Sequence, residues 1–81
     1  MKEWIKKSLS RGEFHLSLHA ISRMYERSVF EADIITCGKT AKKIEFQSNK
    51  QTWKVEGKDL DGGKLIVICA VRDNILIVTV Y

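Results

Sequence analysis

Residues 34–47 read Ile34-Ile35-Thr36-Cys37-Gly38-Lys39-Thr40-Ala41-Lys42-Lys43-Ile44-Glu45-Phe46-Gln47, and within them the spacing of apolar side chains changes. Before Gly38 the apolar residues recur every three to four positions, the period of a helix with one buried face. After it, Ile44 and Phe46 alternate with Lys43, Glu45 and Gln47, the period of a strand with one wet face. A chain that passes from helices to strands in this way is α+β.

Upstream of the switch the sequence predicts three helical pieces. Lys2 to Ser10 places Trp4, Ile5 and Leu9 on one side, and Arg11-Gly12 offers a left-handed exit. Phe14 to Ser17 is a connector. Ser17 is an N-cap for a helix to about Ser28, with Ala20, Ile21, Met24 and Tyr25 as its apolar stripe. The third piece covers Phe30 to Cys37, and Gly38 ends it.

Downstream, Ser48-Asn49-Lys50, Asp61-Gly62-Gly63 and Asp73-Asn74 divide the chain into Lys42–Gln47, Thr52–Lys58, Lys64–Val71 and Ile75–Tyr81. Separators this short, rich in residues that tolerate positive φ, make hairpins, so the runs predict a four-stranded antiparallel meander. The last two strands are apolar on both faces: Leu65, Val67, Cys69 and Val71 back onto Ile66, Ile68 and Ala70. Such strands want cover on both sides. Helices on the two faces, a second protein chain, or a strongly curved sheet would each supply it.

Eighty-one residues, 44% hydrophobic and 30% charged, make one domain spanning 1–81 rather than a disordered chain. The net charge of +4 is spread evenly, with seven Lys/Arg and five Asp/Glu in each half, so no basic tail marks a nucleic-acid partner. Cys37 and Cys69 have no metal-site or redox spacing and read as buried thiols. The first twenty residues carry Lys6, Lys7, Arg11 and Glu13 where a leader needs an apolar run, and the longest such run, Leu65 to Val71, is too short to span a membrane. No membrane association and a reducing, cytoplasmic location are therefore expected.

One cluster has the chemistry of a site. His19, Arg23, Glu26 and Arg27 follow one another at steps of four, three and four residues, which puts them on one side of the second helix. An imidazole exchanges protons near neutral pH, and guanidinium groups hold phosphate oxygens in pairs, so this face suits a phosphodiester. The same residues also make an ordinary solvated face, in which Glu26 pairs with Arg23. His15, in the connector, and Tyr81, at the end of the last strand, are further candidates for substrate contact. No four-ligand metal spacing, glycine-rich phosphate loop or nucleophile motif is present, so neither a metal nor a cofactor is expected.

The stretch from Phe14 to Arg27, Phe14-His15-Leu16-Ser17-Leu18-His19-Ala20-Ile21-Ser22-Arg23-Met24-Tyr25-Glu26-Arg27, resembles the opening signature F-x-x-S-x-H-A-x-x-R-M-x-x-R-G-I of a family of small bacterial domains of unknown function. The terminal strand Ile75–Tyr81 resembles that family's last strand, so the likeness covers Phe14 to Tyr81, leaving 1–13 as an added N-terminal helix. The resemblance implies kinship with RelE/ParE-like toxins: helices followed by a four-stranded sheet, RNA or gyrase as target, and an antitoxin as partner. It marks Ser17, His19, Ala20, Arg23, Met24 and Arg27. Two departures, Ser28 for the pattern's Gly and Phe30 for a capping Ser, imply a rebuilt turn with Ser28-x-x-Glu31 as a capping box.

The leading expectation is thus a small toxin-like, metal-independent endoribonuclease. In it Arg23 and Arg27 hold backbone phosphate, His19 handles a proton, and His15, Glu26 and Tyr81 contact substrate. The alternative is a non-catalytic interaction module that forms a homodimer or an antitoxin-type complex. Exposure separates the two: His19 and Arg23 lining an open groove favour chemistry, whereas their burial in internal pairs favours a structural role.

Overall fold

The computed structural model describes residues 1–81. In chain order the elements are α1 (Lys2–Ser10), β1 (His15–Leu16), α2 (Leu18–Arg27), α3 (Glu31–Thr40), β2 (Lys43–Gln47), β3 (Thr52–Lys58), β4 (Lys64–Val71) and β5 (Ile75–Val80). The strands form one sheet in the order β1-β5-β4-β3-β2, with β1 parallel to β5 and the remaining neighbours antiparallel.

The fold is α+β, but the sheet is not a four-stranded meander. The Phe14–Ser17 connector supplies a fifth strand, in which His15 and Leu16 stand in register with Leu76 and Ile77. Ser17 fastens it: its N–H donates to the Ile77 carbonyl at 3.0 Å and its hydroxyl to the Val78 carbonyl at 3.0 Å. Two residues carry no periodicity, and the partner lies 61 positions further along the chain, so no local signal announces this strand.

All three helices pack on one face of the sheet. Ile5, Leu9, Ala20, Met24, Ile34 and Cys37 meet Val55, Val67, Cys69, Ile75, Ile77 and Val80 in a single core. The opposite face carries no helix, yet Ile66, Ile68 and Ala70 are 8%, 7% and 4% exposed. Their cross-strand neighbours shield them, Glu56 beside Ile66, Lys54 and Thr79 beside Ile68, and Leu76 beside Ala70. Long side chains on a pleated surface thus supply cover that a second helical layer would otherwise provide.

Two local expectations are corrected. Gly38 does not end α3; it lies inside the helix, which runs on to Thr40. A Cβ at Gly38 would come within 2.6 Å of Leu9 Cβ, so this glycine lets α1 and α3 approach closely. The Ser28-x-x-Glu31 box does not form either. Ser28 instead terminates α2 in a left-handed conformation, φ 56 and ψ 41, and α3 starts from Phe30, whose N–H donates to Asp33 Oδ2 at 2.8 Å. At its other end α3 is capped by Lys6, whose Nζ donates to the carbonyls of Gly38 and Lys39, each at 2.9 Å, a cation placed at the negative end of the helix dipole. No helix is long and apolar enough to cross a membrane.

Candidate functional site

The Ser17 hydroxyl accepts from the Ala20 N–H at 3.0 Å while donating to Val78, so one side chain both starts α2 and ties it to β5. This anchorage sets the rotation of α2. Ala20 and Met24 face the core, at 0% and 7% exposure, whereas Leu18, Ile21 and Tyr25 are 87%, 48% and 89% exposed. The apolar stripe read from the sequence therefore splits: half of it is core and half is surface.

His19, Arg23, Glu26 and Arg27 do lie along one flank of α2, as their spacing requires. His19 is exposed and makes no hydrogen bond within the chain. Arg23 Nη1 stands 3.5 Å from Glu26 Oε1, with the two side chains 34% and 59% exposed, a loose surface pair worth little. Arg27 is exposed in the last turn, where a cation suits the helix dipole. None of the molecule's clefts is lined by these four residues.

His15 and Tyr81 are not brought to this row. His15 pairs with Leu76, itself paired with Ala70, which puts it on the helix-free face at the sheet edge. Tyr81 exchanges backbone hydrogen bonds with Ile66 at 2.8 and 2.9 Å and borders a groove of about 330 Å³ that includes Lys50, Thr52, Ile68 and Thr79. The sheet separates both from α2. The thiols supply no nucleophile: burial pushes Cys37 and Cys69 up from 9.0 to about 12, and Cys37 Sγ donates to the Leu65 carbonyl at 3.4 Å. No three His, Cys, Asp or Glu side chains converge as metal ligands.

The feature the sequence reading missed lies on the other flank of α2. Ile21, Met24 and Tyr25, with Leu16, Val29 and Phe30, line an open apolar groove of about 390 Å³ at the α2–α3 turn. Phe30 is 68% exposed there. A signal was present: Leu18, Ile21 and Tyr25 are spaced by three and four residues and form a stripe offset from Ala20 and Met24.

A family model described as a domain of unknown function, DUF4258, matches residues 16–81. The chain belongs to the DUF4258 family. The matched part of the DUF4258 chain takes in Leu16, α2, α3 and all four antiparallel strands, and so includes both the His19–Arg27 row and the apolar groove. His15 and α1 precede it. No curated protein and no solved structure matches the chain.

Proposed function

We propose that this DUF4258 chain is a protein-interaction module whose α2–α3 groove receives an apolar segment of a separate, acidic protein. The observation that carries this reading is the exposure of Ile21, Tyr25 and Phe30 around one apolar groove of about 390 Å³, with Leu18 exposed on the same stripe of α2. Charge indicates the partner at the scale of the whole chain, which carries +4; His19, Arg23 and Arg27 lie on the opposite flank of α2, and the one charged residue lining the groove itself is Glu31. An acidic partner gains from this long-range attraction, while a second copy of a +4 chain is repelled. The resemblance to RelE/ParE-like toxins supplies a matching class of partner, an antitoxin-type chain.

The test uses the full chain and two synthetic amphipathic peptides of about 14 residues, ~four helical turns, one with acidic and one with basic polar faces. Anisotropy of the labelled peptides should show that the acidic one binds and the basic one does not. Ile21→Ser with Tyr25→Ser, both at exposed positions, should weaken binding at least about tenfold, ~1.4 kcal/mol. Equal binding of both peptides, no binding of either, or binding indifferent to the double substitution would refute the groove as a docking site.

A second reading keeps the RNA-directed, ribonuclease role for the opposite flank of α2. It is favoured by one observation: His19 is solvent-exposed and unbonded beside Arg23 and Arg27, free to meet a phosphodiester. Its test is the His19→Ala variant.

A further inference from the structure

We propose that the lysines gathered at one end of strands β2, β3 and β4 form a binding site for the phosphodiester backbone of a nucleic acid. Lys58 and Lys64 stand directly opposite each other across β3 and β4. Like charges in that position destabilise a sheet, and an anion between them reverses the sign of the contribution. Lys42 joins them, because Lys42 Nζ and Lys64 Nζ both lie 3.9 Å from the same Glu56 oxygen, Oε2. One carboxylate therefore serves two ammonium groups, and Lys58 has no ion-pair partner.

The shape is a strip rather than a pocket. Lys42 borders two adjoining clefts, one of about 170 Å³ with Lys58 and Lys64, the other of about 440 Å³ with Lys2 and Lys43. Five lysines thus line two clefts joined at Lys42, with Glu45 and Glu56 beside them. The adjoining turn adds Asp59, whose Oδ1 accepts from the N–H groups of Asp61 and Gly63 at 2.9 and 2.8 Å, and the exposed Asp61, so the five lysines still outnumber the four carboxylates. Gly62 leaves the smaller cleft open, with nothing within 4 Å of where a Cβ would stand. A row of cations fits a repeating anion, and no large exposed apolar side chain lines either cleft to enter a lipid surface. The site lies towards the β2 edge, whereas α2 packs on β5 near the other edge, so both surfaces are open at once.

The experiment is fluorescence anisotropy of a labelled single-stranded RNA of about 12 nucleotides, titrated with the full chain over a salt series. Three contacted phosphates give a slope of log K against log salt of roughly −2, from about −0.7 per single-strand phosphate. Lys58→Gln with Lys64→Gln should flatten that slope by roughly 1.4 and weaken binding at least about tenfold at low salt. Lys50→Gln with Arg72→Gln, an equal charge change in the turns at the opposite strand ends, should do neither. All four positions are exposed, and circular dichroism checks that each variant keeps the fold. Absence of binding, equal loss in both double variants, displacement of the RNA by equimolar inorganic phosphate, or tighter binding to phosphatidylserine vesicles than to RNA would each overturn the assignment.

Discussion

His19 shows what a single residue's surroundings decide. Its neighbours in sequence are compatible with a catalytic imidazole, and its exposure leaves it open to substrate, but no side chain orients it and no cleft excludes water around it. A general acid or base normally contributes about 100-fold or more. If the α2 flank cleaves RNA, His19→Ala should lower the cleavage rate by roughly that factor without unfolding the chain, since the residue is exposed and outside the core. Full-length RNA incubated with wild type and variant, followed on denaturing gels, gives the comparison; equal cleavage removes His19 from any mechanism. Gly57 is the converse case, a residue whose role is invisible in one dimension: a Cβ there would overlap the carbonyl oxygen of Cys37, so glycine is what lets α3 lie on β3.

Among the elements, α3 depends most on one distant tie. Asp33, 7% exposed, accepts from the Phe30 N–H through Oδ2 at 2.8 Å and from the Leu60 N–H through Oδ1 at 2.9 Å. It therefore caps its own helix and holds the β3–β4 turn against it. Asp33→Ala removes two charge-assisted bonds and leaves two amide donors short of a partner, so a loss of about 2–4 kcal/mol is expected in urea unfolding. A change below about 0.5 kcal/mol would show that water replaces the carboxylate at both amides. The first half of this role was readable, since Asp at the third position of a helix suits its N-terminus; the Leu60 contact, 27 positions away, was not.

For the whole molecule, the decisive question is whether α1 is an accessory. The family match begins at residue 16, yet Ile5 and Leu9 are fully buried in the common core and Lys6 caps α3. Burial of a large aliphatic side chain is worth about 1.5–3 kcal/mol, so removing residues 1–13 should cost roughly 3–6 kcal/mol, a large share of the stability of a small domain. The 14–81 fragment is expected to be unfolded, or to melt far below the full chain, by circular dichroism. A fragment melting within about 5 °C of the full chain, roughly 1 kcal/mol for this size, would make α1 an appendage.

The sequence by itself determined the α+β class, the span of α1, the Ser17 cap and all four hairpin strands to within a residue, because period and turn chemistry act between neighbours in the chain. Only the tertiary structure decided the rest. β1 exists because β5 offers it a parallel edge, and α2 is rotated by its tie to that strand, which turns Ile21 and Tyr25 out to solvent. Gly38 sits inside α3 where α1 crosses it, since a Cβ there would meet Leu9, and lysines spread evenly along the sequence meet at one end of the sheet through strand register. Each of these outcomes depends on pairs far apart in the chain, whose meeting is set by the packing of the whole core rather than by any local pattern.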